Sequence, residues 1–298
     1  MIKQLDIFGN ITIPDEEVEA IPYMGNKRIL ATKFINAMFR TVGEFDTLYD
    51  LFGGGASVSV AGIKAGLKVH YNDLNEGIVN LLKHIQKGGE IPFNFVTREE
   101  FFKHKDGNDW YSGLIKSCYS FGNDQRTYLF GKDIEPLKKE CHEYLMANGY
   151  DKTPETRINL IAQFKKEKGI EGRLELEQLE QLQRLEQLEQ LQQLQRLEQL
   201  EITCLSYENV EIGQGVIYCD IPYKNTEKYQ SGKDFDYEKF YNWALNMKNP
   251  VFISEYSMPD DFQCVAEFEH RSILSATNNS KRTIEKLFWN KARLTDLM

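Results

Sequence analysis

The chain lacks the usual marks of several protein classes. Its five cysteines are scattered and odd in number, with no Cys-x-x-Cys pair, and its five histidines show no ligand spacing. Reduced thiols are expected, and neither structural zinc nor any other bound metal is. No apolar run approaches the length of a membrane span. The N-terminus carries Asp15, Glu16, Glu17 and Glu19 instead of an apolar signal core, so the cytoplasm is the expected location. No glycine turn is followed by Gly-Lys-Ser/Thr, which excludes the phosphate-binding P-loop reading.

Net basic charge is also missing. The formal charge is −9, a balance that on its own argues against a nucleic-acid partner. Its distribution removes most of that objection. Residues 1–20 hold five acids and one lysine, and residues 171–201 hold eight glutamates and three arginines. Those two segments account for the whole −9, leaving the remaining chain neutral overall. A neutral body can carry a local basic face. Candidates are Lys165, Lys166 and Lys168, and the C-terminal Lys281, Arg282, Lys286, Lys291 and Arg293, although each also reads as ordinary solvated surface.

What is present is an ordinary globular composition, 41% hydrophobic and 27% charged, over 298 residues. Residues 1–20 read as a flexible lead-in. Apolar spacing predicts a helix over 28–40, then a strand over 45–52, a helix over 57–65, a strand over 68–71 and a helix over 76–86. This succession defines an α/β chain of the Rossmann-like, doubly wound type, with its ligand at the carboxyl ends of the strands. Strands over 216–220 and 250–254, a helix over 237–247 and a last edge strand over 286–289 continue the alternation.

Between them, 131–204 reads as a helical insertion that contains a low-complexity tract, 174–201. From Leu176 to Leu200 nine leucines recur at every third position. On an α-helix that step turns about 300°, so the leucines circle the helix and hold no fixed coiled-coil seam. Propensity favours an α-helical spacer of about 37 Å at ~1.5 Å per residue. The tract predicts no defined assembly, and the oligomeric state stays open.

Three runs carry chemistry. Asp50-Leu51-Phe52-Gly53-Gly54-Gly55-Ala56 joins a strand to a helix. Its glycines let backbone approach a ligand at a helix N-terminus, though a merely tight turn would need them too. Asp73 ends the next strand. It suits either a ribose diol or an Asx turn, and Asn75 suits a helix cap. Asp220-Ile221-Pro222-Tyr223 leaves an apolar strand. A carboxylate, a backbone carbonyl and a ring at that place can grip a flat amino-bearing base, but Asp-x-Pro-Tyr is also an ordinary turn.

Together with Pro22-Tyr23-Met24-Gly25-Asn26-Lys27, and in this order, these runs resemble the Dam-like family of adenine-specific DNA methyltransferases. The resemblance covers roughly 21–130 and 205–298, about two thirds of the chain. It implies a methyltransferase domain over those segments, with 131–204 as target-recognition insertion. It also implies S-adenosylmethionine as cofactor, double-stranded DNA as partner, and a bacterial or phage-infected cell as setting. By resemblance, Tyr23, Gly25, Lys27, Asp50, Phe52, Gly53, Gly55, Asp73 and Asp220 bind the cofactor. Asp220, Ile221, Pro222 and Tyr223 form the catalytic run, with methyl transfer to the N6 amine of a base flipped from the duplex.

Where the family usually has Asp-Pro-Pro-Tyr, this chain has Ile221. The backbone carbonyl is retained but one stiffening ring is lost, so activity with looser positioning is expected. Two alternatives remain at this point: methylation of cytosine's exocyclic amine, and a non-catalytic protein that keeps the cofactor pocket. Residues 118–130 mix aromatics with Asn123, Gln125 and Arg126, which suits either a DNA-facing loop or core packing.

Overall fold

The computed structural model describes residues 4–5, 9, 11–149, 154–170, 200–223, 235–272 and 281–297. After a short hairpin, β1 (Gln4–Leu5) and β2 (Ile11–Thr12), comes α1 (Ala31–Val42). Then follow β3 (Thr47–Asp50), α2 (Ser57–Lys64), β4 (Lys68–Asn72) and α3 (Glu76–Gln86). Four helices come next, α4 (Arg98–His104), α5 (Trp110–Cys118), α6 (Glu135–Ala147) and α7 (Pro154–Lys168). The chain re-enters the sheet with β5 (Leu200–Thr203) and β6 (Val216–Cys219), followed by α8 (Tyr237–Asn246), β7 (Val251–Glu255), β8 (Gln263–Ser272) and β9 (Lys281–Trp289).

The seven-stranded sheet has the order β5-β4-β3-β6-β7-β9-β8. Neighbours from β5 to β7 pair in parallel, and β9 runs antiparallel to both β7 and β8. Strand order reverses between β3 and β6, which is where a doubly wound sheet opens a crevice at its carboxyl edge. Both faces are covered, and so the strands read as continuous apolar runs. Leu48, Val216, Tyr218, Phe252 and Leu287 enter the apolar cluster shared with α1, α2 and α3. Tyr49, Ile217, Cys219, Val251, Ile253 and Phe288 enter a second cluster with Phe240 of α8. Period-two alternation along each strand produces this division.

Local chemistry sets the helix starts. Asn75 caps α3 by accepting from the Ile78 N–H at 3.4 Å, Thr97 caps α4, Asp109 caps α5 and Asp236 caps α8.

Several expectations need correction. Residues 13–20 are not loosely held, because Ile13, Val18 and Ala20 are buried. Asn36 of α1 exchanges two hydrogen bonds with the Ile13 backbone, and Lys64 reaches both Glu16 and Glu19 at 3.0 Å. The supposed edge strand at 286–289 is the end of β9, which lies inside the sheet, with the unexpected β8 at the edge. The insertion stops short of Thr203, since Leu200–Thr203 pairs with β4. The end of the leucine tract is therefore sheet, and Leu200 is buried. Tract residues 174–199, expected as helix, lie outside the described residues. Helices α6 and α7 share the main core through Cys141, Leu145 and Phe164.

Candidate active site

A cavity of about 730 Å³ opens at the carboxyl ends of β3, β4 and β6. Every residue that the sequence singled out for the site lines it: Tyr23, Gly25, Lys27, Asp50, Phe52, Gly53, Gly55, Asp73 and the run from Asp220 to Tyr223. Three strand ends thus bring one aspartate each, Asp50 as the last residue of β3, Asp73 after β4 and Asp220 after β6.

The glycine turn is dictated by close approach. A Cβ on Gly53 would lie 2.2 Å from the Tyr71 ring, and one on Gly55 would lie 2.3 Å from the Ile21 carbonyl oxygen. The Gly54 N–H donates to Asp73 Oδ2 at 2.8 Å, and the Asn75 N–H donates to Asp73 Oδ1 at 2.7 Å. Asp73 is therefore held by the backbone as in an Asx turn, and each oxygen keeps a further lone pair.

Asp50 is 1% exposed. Its Oδ2 accepts from Ser59 at 2.7 Å, while Oδ1 and the buried Ser57 hydroxyl have no hydrogen-bond partner among the described residues. Burial is the main cause that raises its pKa to about 7, against the Ser59 hydrogen bond and aided by Asp220 and Asp73. Two orphaned polar atoms in a cavity wall suit a polar ligand. Phe52, Tyr207 and Phe235 form an aromatic wall, with ring centroids 5.6 and 5.9 Å from Phe52.

Lys27 is neither exposed nor isolated. It is 6% exposed, and its Nζ lies 2.8 Å from Asp220 Oδ2, 3.2 Å from Glu285 Oε1 and 2.7 Å from the Gly25 carbonyl. Burial opposes the ammonium, but Asp220 and Glu285 outweigh it and hold its pKa well above the usual lysine range. Asp220 Oδ1 accepts from Ser254 at 2.9 Å, and Ser254 in turn meets the Tyr218 hydroxyl. Burial raises the Asp220 pKa, Lys27 lowers it and Glu285 raises it again, with a net rise. The Tyr223 hydroxyl donates to Glu285, and its ring meets that of Tyr256 edge-on at 4.8 Å.

Ile221 is 1% exposed, in the apolar cluster of Leu51 and Phe240. The Tyr237 hydroxyl donates to the Pro222 carbonyl at 2.8 Å. Packing and this hydrogen bond hold the turn where a second ring would have stiffened it.

Ser254, Tyr256 and Glu285 were not anticipated. Glu285 had one readable signal, because it shares strand parity with the buried Leu287 and Trp289. In the 118–130 segment the alternatives divide. Tyr119 and Tyr128 are buried, Phe121 is 60% exposed, and Asn123, Gln125 and Arg126 line the cavity. Of the basic candidates, Lys286 pairs with Glu267 at 2.8 Å and Lys168 with Glu140 at 2.5 Å, and Lys165 is 9% exposed. Among the described residues no helix is long and apolar enough to cross a membrane, and no group of three His, Cys, Asp or Glu is placed to hold a metal.

Sheet order, the single antiparallel strand β9 and a glycine turn at the switch point define a Rossmann-like methyltransferase fold. Residues 23–244 match the D12 class N6 adenine-specific DNA methyltransferase family, and the chain belongs to it. Comparison with curated proteins found no match. The family is adenine-specific, so the cytosine alternative falls away. The protein is an adenine-specific DNA methyltransferase.

Proposed function

We propose that the protein transfers the methyl group of S-adenosylmethionine to N6 of an adenine rotated out of duplex DNA. The observation that carries this reading is the convergence of Asp50, Asp73 and Asp220 on one cavity at the sheet's switch point. The donor supplies a methyl group on a sulfonium sulfur, which leaves as a neutral thioether.

On the donor's side, Asp73 accepts from the ribose hydroxyls, and Lys27 and Tyr23 flank the methionine end. The orphaned Asp50 Oδ1 and the glycine turn face its polar groups. On the base's side, the Asp220 carboxylate and the Ile221 carbonyl accept the two N6 hydrogens. With both hydrogens held, the nitrogen lone pair points at the methyl carbon. The bound donor would supply the methyl carbon and take back the C–S electron pair, and the extra proton of the methylated amine would pass to the Asp220 carboxylate that already accepts it, and from there to water. Catalysis here is orientation and stabilisation of positive charge, and Asp220 need not be a strong base. Pro222 disfavours a helical backbone at Ile221 and so keeps its carbonyl in the turn. Tyr223 stacks on the extruded base.

We assign residues 21–130 and 200–298 to the methyltransferase domain, β5 included, and helices α6 and α7 of the insertion to target recognition. The reading is tested by calorimetric titration with S-adenosylmethionine, then by the fluorescence of DNA carrying 2-aminopurine at the target. Binding of the donor and enhanced fluorescence on adding protein are expected. No enhancement, also with Tyr223→Ala so that its ring cannot quench an extruded base, would remove base flipping from the scheme.

A further inference from the structure

The sequence reading assigned no role to Glu285, yet it is 3% exposed and lies in the catalytic cluster. Its position has a structural origin. β9 lies between β7 and β8, and the parity that buries Leu287 and Trp289 turns Glu285 to the same face of the sheet. There it meets Lys27 at 3.2 Å and accepts from the Tyr223 hydroxyl. Lys27 at the same time lies 2.8 Å from Asp220 and 5.1 Å from the centre of the Tyr223 ring.

We infer that Glu285 is a positioning residue for methyl transfer, which fixes Lys27 and the Tyr223 ring and leaves the Asp220–Lys27–Glu285 cluster one formal negative charge. The inference rests on the reading of the cavity as a sulfonium-donor site. Asp220 and Lys27 alone would form a neutral pair. A second carboxylate against one ammonium restores a negative balance, and a sulfonium brings that balance to zero. The neutral thioether left after transfer does not. Glu285 therefore favours the donor over its spent form, and it supports the positive charge as it passes from sulfur to nitrogen. The same carboxylate orients the phenol of the stacking ring and keeps the Lys27 ammonium beside Asp220, so that Asp220 presents a fixed oxygen to the base.

The test is Glu285→Gln, which keeps the shape of the side chain and leaves Lys27 its contact with Asp220. Calorimetry measures the affinities of S-adenosylmethionine and S-adenosylhomocysteine for both proteins, and steady-state kinetics measures kcat and the KM for DNA. The preference for the sulfonium over the thioether is expected to fall about tenfold in the variant. We expect kcat to fall at least about tenfold with little change in the KM for DNA. The double variant Lys27→Met/Glu285→Gln restores the formal charge of −1, and its preference is expected to recover while both affinities drop.

Equal loss of both ligands, or an unchanged preference with unchanged kcat, would overturn the inference. If the unaltered protein binds neither ligand, the donor-site reading fails and takes the inference with it. That outcome is distinct from a variant that matches the parent.

Discussion

The Lys27 ammonium lies 2.8 Å from the Asp220 carboxylate, across 193 residues of sequence. This contact joins the turn before α1 to the turn after β6, beside the place where β3 and β6 pair in the sheet. Removing one member of such a buried pair leaves the other uncompensated. Here Glu285 remains beside Lys27, so loss of Asp220 leaves the lysine a counter-charge.

Asp220→Ala is therefore expected to fold and still to bind the donor, with its preference for the sulfonium lowered as in Glu285→Gln. Its methylation rate should fall by at least about a thousandfold, since a principal acceptor for the base amine is gone. Thermal melting and calorimetry, run beside the rate assay, separate loss of chemistry from loss of structure.

Ile221 packs in the apolar cluster that contains Leu51 and Phe240. Ile221→Pro trades that packing for a stiffer turn. The account expects a lower melting temperature, by the several degrees that about 1–3 kcal/mol produces in a chain of this size, and no gain in kcat. A higher kcat would show that isoleucine leaves the turn too loose.

Asp50 supplies the pH dependence. Its pKa is raised by burial to about 7 in the folded protein, against about 3.9 when unfolded. The protonated form is the one that the fold favours. Its contribution to stability is thus complete below about pH 4 and is lost as pH rises towards 7. Asp50→Asn should flatten that part of the melting-temperature profile. A cationic ligand beside Asp50 favours the carboxylate, so donor affinity should rise with pH through about 7. Calorimetry across pH 6–8, an interval of about one unit either side, checks the sign.

The leucine tract gives a prediction about boundaries. Replacing residues 174–199 with a flexible linker should spare methylation, if the tract is a spacer. Extending the cut through Leu200–Thr203 removes β5 from the sheet edge, together with the Thr203 hydroxyl that donates to the Asn72 side chain at 2.8 Å. That longer deletion should lower both melting temperature and activity.

These residues also show what was legible before the fold was known. Parallel strands buried on both faces, such as Val216–Cys219 and Val251–Glu255, announce themselves as apolar runs. The site motifs sit where those strands end. Short helices such as Arg98–His104 offer two turns of periodicity, too few to stand out. β5 was hidden because Leu200 and Glu201 continue a repeat with a different period. Glu285 carried only its parity with Leu287 and Trp289 as a signal, since its burial depends on the pairing of β9 between β7 and β8. Long-range charge pairs such as Lys27 with Glu285 leave no local trace.

The most direct measurement is to incubate the protein with unmethylated duplex DNA and labelled S-adenosylmethionine, and to analyse the digested nucleosides by mass. The account predicts label in N6-methyladenine, absent with Asp220→Ala. Label in a methylated cytosine, or none despite donor binding and varied DNA, would contradict it.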